Sequence, residues 1–543
     1  MSHKLEALTT IQKLKTVWND ELVWLAPALV ASLLLFYVYL ATHPYPAFGA
    51  GLFMEMARQV ARHGYALPSS IPYYAANGIP FAYPPLAFYA LALLRGVGVD
   101  PFTITRFLPG SVTVLYLIPF YALARELLDS GPRAGFATLL VAVSPPILQW
   151  HISAGGVVRA PAMLFALTGI YTGLKLFETG ERRWVVPSLV CFTLTILTHP
   201  LYAAFFVVTY LVCYACYDRT RAGLVGGAIV GVGGLVLTAP WWLQVVAAHG
   251  PSVFSAAAGT HGGLGTGVRE FLVRLSVRPG RLSPFSLRNL APVVGVFVLL
   301  RDRRYFVPLW FVTVTVVLGN PRFVFLVGAL ASTVLMFEVV VPFLRRELRS
   351  KVDGQRVVTF SIALVATFGM GAGTLYATSH LNSHGGSASL PQFVDNDDLA
   401  AMRWVHNHTA NDSRFVVQGD TAEWFPYETG RTILVGPWGL EWTNPSRYRH
   451  ELALFRTIST CPNATCLSTA FDQAGIHPQY VYVHRGSYTI RGMHRDASET
   501  LVSSLRSSGE FRLVYLNDGV AIFREVREPS IHRFESRPSR TGS

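Results

Sequence analysis

Along the first 378 residues, apolar positions come in long unbroken runs rather than in the three-and-four spacing of a surface helix. Leu22 to Ala41 is the first such run. After a long polar interruption, others cover 107–124, 134–150, 160–177, 184–198, 201–217, 223–239, 285–300, the segment ending at Leu318, 323–344 and 357–377. A bilayer core needs about 20 apolar residues per helix, so the pattern predicts an α-helical polytopic membrane protein with about eleven transmembrane helices. Beyond Ala377 the period shortens. Strands are expected over 415–418, 432–435, 480–484, 511–516 and 520–526. They alternate with a helix capped by Asp398 and running through His406, and with helices over 446–458 and 498–507. Asn517-Asp518-Gly519 reads as a hairpin turn. The chain thus divides into a membrane domain (1–378), a small α/β domain (379–526) and an Arg-, Ser- and Pro-rich end (527–543) expected to be disordered.

Composition agrees with the pattern: 51% of residues are hydrophobic, 14% are charged and the mean hydropathy is +0.37. Charge then orients the chain. The net charge is +13, yet from Ser379 onward 16 Arg face 17 acids, so the excess belongs to the membrane domain. It sits in short clusters between the runs, at Arg125 and Arg133, at Lys175, Arg182 and Arg183, at Arg219 and Arg221, at Arg301 to Arg304, and from Arg345 to Arg356. With Lys4, Lys13 and Lys15 these fall on one side, which the positive-inside rule makes the cytoplasm. A multi-pass protein of the cell membrane follows, with a retained first helix, a cytoplasmic N-terminus and an extracytoplasmic C-terminal domain. The same placement excludes a nucleic-acid partner. It makes 43–106 the first external loop, lays the short apolar segment from Tyr83 to Leu94 on the outer surface and expects another surface helix over 269–278.

Cysteine usage supports that orientation. Cys191, Cys213 and Cys216 lie in apolar runs without the His or acid spacing of zinc ligands, and read as packing residues. Cys461-Pro-Asn-Ala-Thr-Cys466 fits a small disulfide loop in an oxidising compartment. Three glycosylation triplets begin at Asn407, Asn411 and Asn463, where about one is expected by chance.

Under this topology one side collects the residues able to do chemistry: Glu55, Tyr73, Tyr74, Tyr83, His151, Arg159, His199, Trp241, Trp242 and Arg322. Ionisable side chains near membrane depth are costly and point to a site or a wet cavity. Each has a plainer reading. Glu55 fits an ion pair with Arg58 or Arg62, Arg322 an interfacial arginine, His199 a helix corner, and the Tyr and Trp residues an aromatic belt. In the C-terminal domain, Asp395-Asn396-Asp397 has the spacing of a metal-bound phosphate site but precedes a helix, where acids serve as caps. Trp424 to Tyr427, Arg431 and Gly439 to Trp442 suit either an acceptor surface or the domain's own core. No metal-ligand motif is present, and no cofactor is expected.

Taken together, these features resemble the GT-C superfamily of polyprenyl-phosphate-sugar-dependent glycosyltransferases, which includes protein O-mannosyltransferases and lipid A aminoarabinose transferases. The resemblance rests on Met54-Glu55-Met56-Ala57, Gly64 and Tyr83-Pro84-Pro85-Leu86 in the first loop, and on Ser144-Pro145-Pro146 to Gly155-Gly156-Val157-Val158-Arg159 in the second. The soluble domain that closes the chain adds to it. Members usually carry an Asp a few residues ahead of the Met-Ala pair, where this chain has Phe48-Gly49-Ala50-Gly51, leaving Glu55 as the only acid between Pro44 and Leu86. The second loop also lacks the acid that oligosaccharyltransferase relatives use for metal. The resemblance implies transfer of a sugar from a polyprenyl-phosphate donor, at the membrane lipid surface, to a glycan, protein or lipid acceptor. Glu55 would be the base, Arg159 or Arg322 would hold the phosphate, and His151 or His199 would assist. The rival readings are a non-catalytic protein of the same architecture that binds or assembles surface glycans, and a transporter or flippase.

Overall fold

The computed structural model describes residues 2–260, 284–347, 354–378 and 390–526. The surface helix expected over 269–278 and the disordered end expected over 527–543 lie outside the described residues.

The chain opens on α1 (Ser2–Thr42), α2 (Gly51–Arg62), a two-stranded pair β1 (Ser70–Ile71) and β2 (Ile79–Pro80), and α3 (Leu86–Gly96). The bundle continues with α4 (Pro101–Leu128), α5 (Gly131–Ala142), α6 (Pro145–His151), α7 (Gly156–Thr179), α8 (Val185–Ile196) and α9 (Pro200–Tyr217). Then come α10 (Arg221–Leu237), α11 (Ala239–His249), α12 (Ser252–Thr260), α13 (Pro284–Arg301), α14 (Phe306–Val317) and α15 (Pro321–Leu335). A π-helical stretch, Met336–Val340, joins α15 to α16 (Val341–Glu347), and α17 (Gly354–Ala377) ends the bundle. By length and composition, five segments among the described residues can cross a membrane: Glu21–Thr42, Pro101–Leu128, Gly156–Thr179, Pro200–Tyr217 and Pro321–Leu344. The pair α10 and α11, bent by 54°, makes a sixth if counted as one span.

Proline decides where several helices begin. It lacks an N–H and is preset for the first helical position. The run expected over 134–150 is therefore two helices, broken at Ser144-Pro145. The first polar interruption ends at Asp100 rather than Arg106, because Asp100 caps α4 ahead of Pro101 and accepts the Thr103 N–H at 2.8 Å. The same device opens α9, where the His199 ring accepts the Leu201 N–H at 3.2 Å ahead of Pro200. It also opens α15, where Asn320 accepts the Arg322 N–H at 3.3 Å ahead of Pro321. Glu338, an acid within an apolar run, lies in the π-helical stretch and accepts from Arg133 at 2.7 Å and Arg304 at 2.9 Å. Pairing removes the cost of a lone charge there.

Residues 390–526 form an α/β unit. Its sheet has the order β4-β3-β5-β9-β8, with β3 (Arg414–Val417), β4 (Thr432–Ile433) and β5 (Tyr480–His484) parallel, and β8 (Phe511–Leu516) and β9 (Val520–Glu525) antiparallel. A separate hairpin pairs β6 (Ser487–Ile490) with β7 (Met493–Asp496). Around them lie α18 (Asn396–His408), α19 (Phe425–Thr429), α20 (Pro445–Ser459), α21 (Ala464–Ala474) and α22 (Glu499–Ser507). The cap of α18 is Asp395, not Asp398. Asp395 accepts the Asp398 N–H at 2.9 Å while Asp398 reaches back to the Asp395 N–H at 3.0 Å, a reciprocal capping box. Cys461 and Cys466 are disulfide-bonded, and between them Asn463 caps α21 by accepting the Cys466 N–H at 2.9 Å.

The unit is stitched to the bundle through the first polar segment. The Phe48 N–H donates to the Pro391 carbonyl at 2.7 Å, the Ala154 N–H to Ala47 at 2.9 Å, and the Ile433 N–H to Tyr73 at 2.9 Å. The Tyr74 hydroxyl donates to the Glu423 carbonyl at 2.7 Å, and the rings of Phe102 and Trp424 meet with centroids 4.6 Å apart.

Candidate functional site

The proline-led starts of α6, α9 and α15, with the glycine-led start of α7, gather at the bundle end that faces the α/β unit. Trp150, near the end of α6, is the meeting point. The Phe48 ring stacks on it with centroids 5.2 Å apart, while the guanidinium of Arg159, on the first turn of α7, lies 5.0 Å from its centroid and that of Arg322 lies 5.9 Å away. Both distances are in the range of cation–π attraction.

Arg322 is held by a chain of hydrogen bonds whose direction can be assigned. The Ile147 carbonyl, 2.7 Å from His151 Nδ1, can only accept, so Nδ1 carries the proton. His151 Nε2 is then the acceptor for the Tyr202 hydroxyl at 2.6 Å, and the Tyr202 oxygen accepts from Arg322 Nη1 at 3.1 Å. Asn320 Oδ1 accepts from Arg322 Nε at 2.8 Å. Among the described residues, neither Arg159 nor Arg322 has a carboxylate within ion-pair distance. Two neighbouring cations that repel one another, without an acid between them, at the positive ends of helices, form a site for an anion.

Tyr83 closes one side. Its ring meets His199 at 5.7 Å and Trp442 at 5.5 Å, both edge to face, and His199 in turn meets Tyr202 at 5.0 Å. The acids come from the α/β unit. Glu423 is buried and faces the charges of Arg491 and Arg159; burial outweighs them and pushes its carboxyl up to about 8. Burial likewise raises Glu441, whose Oε2 has no hydrogen-bond partner, and Arg491 and Arg159 pull it the other way. Asp420 is buried beside them and accepts the N–H groups of Arg491 at 2.8 Å and Gly492 at 2.7 Å.

Of the residues singled out in the sequence, Tyr83, His151, Arg159, His199 and Arg322 are brought together here. Tyr74 reaches the edge through the Glu423 backbone. Tyr73 has a left-handed backbone, φ 74°, and serves as a backbone partner of β4. Trp241 packs on Phe254 at 5.8 Å, and Trp242 donates to the Leu235 carbonyl at 2.9 Å, both on α11. Glu55 does not join the group. It is fully buried, paired with Arg58 and accepting from Gln59 at 2.6 Å, and Arg58 in turn donates to the Tyr427 carbonyl at 2.7 Å. Its place is the seam between α2 and α19. Arg431 is buried, with its guanidinium on the carbonyls of His406, Thr409 and Thr429, and Trp424 is fully buried; both are structural. Sequence reading missed Trp150, Tyr202, Glu423 and Arg491. Among the described residues no group of three His, Cys, Asp or Glu side chains is placed to hold a metal.

No family model matches the sequence, and no curated protein matches it. Solved structures do. The Archaeoglobus fulgidus oligosaccharyltransferase tethered with an acceptor peptide aligns over 92% of this chain and 80% of its own, at 12% identity and a TM-score of 0.58. ArnT from Cupriavidus metallidurans, bound to undecaprenyl phosphate, aligns over 93% of this chain and 98% of its own, at 12% identity and a TM-score of 0.54. This chain has the GT-C fold. The mycobacterial arabinofuranosyltransferase AftD shares it over 93% of this chain but only 40% of its own length, at 16% identity and a TM-score of 0.55. Folds of this class are polytopic, and with the apolar helices described above the protein is a multi-pass membrane protein. Within the GT-C fold, the cluster around Trp150 sits where the helical bundle meets the C-terminal α/β unit.

Proposed function

We propose that this protein is a membrane glycosyltransferase that moves a sugar from a polyprenyl-phosphate carrier to an acceptor outside the membrane. The observation that carries the reading is the pair Arg159 and Arg322, both within cation–π range of Trp150 and without a carboxylate in ion-pair distance among the described residues. A sugar phosphodiester carries one negative charge, and the phosphate that leaves carries two. A pair of guanidiniums therefore favours the transition state over the bound donor, which is what lowers a barrier. The His151–Tyr202 chain and Asn320 keep Arg322 from reorganising. Tyr83 and Trp442, which meet edge to face, are the aromatic rings for the sugar. ArnT, which shares the fold, has been solved with undecaprenyl phosphate, and the archaeal oligosaccharyltransferases include one in complex with a dolichol-phosphate. An eleven-span topology with a cytoplasmic N-terminus, an extracytoplasmic domain over 379–526 and glycans at Asn407 or Asn411 belong to the same reading. Asn463, engaged as a helix cap, is the poorest of the three acceptors.

The test uses purified protein in lipid nanodiscs with a panel of radiolabelled polyprenyl-phosphate sugars and a cell-surface extract as acceptor. Wild type is expected to transfer label, and R159A/R322A to lose it by at least ~10²-fold, the usual cost of removing charge stabilisation from a transition state. Label taken from nucleotide sugars but not from lipid donors would overturn the reading. Binding of polyprenyl phosphate without any transfer would favour the non-catalytic alternative.

A further inference from the structure

The acid of this site is contributed from the far end of the chain. At Gly49, a built Cβ would lie 2.7 Å from Glu423 Oε1 and closer still to Oε2 and Cδ. The Glu423 carboxylate thus fills the space that a side chain on residue 49 would occupy. Two residues on, a Cβ at Gly51 would lie 2.6 Å from the Trp424 Cα, so the first polar segment is notched by glycine to admit this stretch of the α/β unit. The Tyr74 hydroxyl holds the Glu423 carbonyl at 2.7 Å, and Thr421 holds the Phe393 carbonyl at 2.7 Å, which fixes the stretch from both sides. Next to Gly49, the Phe48 ring stacks on Trp150, and Arg159 is among the charges that the Glu423 carboxylate faces.

We propose that Glu423 is the general base of the transfer, an acid supplied by the α/β unit over Gly49 to a site whose cations come from the bundle. The inference rests on the glycosyltransferase reading above. In the step, the Glu423 carboxylate takes the proton of the acceptor O–H or N–H as that atom bonds to C1 of the sugar. The C1–O bond to phosphate breaks, its electron pair leaves with the polyprenyl phosphate, and Arg159 and Arg322 receive the added charge. Glu55 cannot serve, being held by Arg58 and Gln59. Glu441 also faces Arg159, but it is the carboxylate of Glu423, not of Glu441, that lies against Gly49. Groups facing Glu423 are Arg491, Asp420, Arg159, Glu441 and Tyr74.

The test compares E423Q, E423A and E423A/G49D in the nanodisc assay, with melting temperature as the control for folding. E423Q is expected to lower kcat by at least ~10²-fold with donor KM within ~3-fold, because general bases contribute about that much. Its residual rate should lose the dependence on pH that wild type shows. In E423A/G49D the vacated space receives an Asp at the same place, and the backbone there is not left-handed, so at least ~10-fold of the loss in E423A should return. A structural role for Glu423 would lower the melting temperature and would not be rescued from residue 49. E423Q retaining more than about half of wild-type kcat would overturn this role and leave the glycosyltransferase reading intact. A wild type that transfers from no lipid donor would overturn that reading and, with it, the role.

Discussion

The residues of the site differ in how plainly they announce themselves. His151, Arg159, His199 and Arg322 stand at the edges of apolar runs, where an ionisable group is expensive and so conspicuous. Tyr202 and Trp150 do not, since an aromatic residue inside or beside an apolar helix has the pattern of packing. Only the contacts show Tyr202 as the link between His151 and Arg322. That link predicts the behaviour of Tyr202→Phe. Loss of one hydroxyl leaves Arg322 held by Asn320 alone among these partners and costs about 0.5–1.5 kcal/mol. Donor KM should rise by ~3–10-fold with kcat within ~2-fold, measured by initial rates against donor concentration. An unchanged KM would mean that the relay does not position Arg322. Glu423 was illegible for another reason. It is one of 17 acids in the C-terminal part, and its meaning depends on glycines placed at the start of the chain.

At the scale of elements, what was legible followed the backbone. Apolar runs gave the helices, period-two stretches gave β5 and β8, and Asn517 to Gly519 gave the turn between β8 and β9. What was missed lay where one residue overrides the run: Pro145 splits an expected span, and Asn463 starts a helix inside a stretch read as a disulfide loop. The hairpin of β6 and β7 was missed as well, although its two-residue turn, Arg491-Gly492, has φ of 54° and 78° as a type I′ turn requires. Asp420 secures that turn with two backbone hydrogen bonds and so sets where Arg491 stands relative to Glu423 and Glu441. Asp420→Ala leaves two N–H groups unsatisfied and is expected to destabilise the unit by about 1–3 kcal/mol. Thermal unfolding in detergent should show this as a lower melting temperature, with Asp420→Asn falling between Ala and wild type. Equal melting temperatures for Ala and wild type would show that the turn holds without its acid.

At the scale of the whole molecule, the α/β unit and its joint with the bundle hold buried carboxyls, and this gives stability a direction in pH. Burial raises Asp398 and Glu423 to about 8 and Glu428 to about 7, and Glu55, Asp420 and Glu441 move the same way. A carboxyl with a raised folded pKa binds more protons folded than unfolded above pH 4. Its contribution is therefore full below the unfolded value and is lost as pH rises through the folded one. Two buried histidines oppose this. Burial lowers His43, and it lowers His484 to about 4, so their contribution grows as pH rises towards 6.5 and then stops changing. Above 6.5 these two histidines no longer oppose the carboxyls, which set the sign. The melting temperature should fall between pH 6.5 and pH 8.5, at up to about 1.4 kcal/mol per pH unit for each carboxyl still protonated. Glu423→Gln, neutral throughout, should flatten that slope. If differential scanning fluorimetry in nanodiscs showed the slope unchanged in E423Q, Glu423 would already be ionised in the resting protein, and its proton could not be the one that the joint holds.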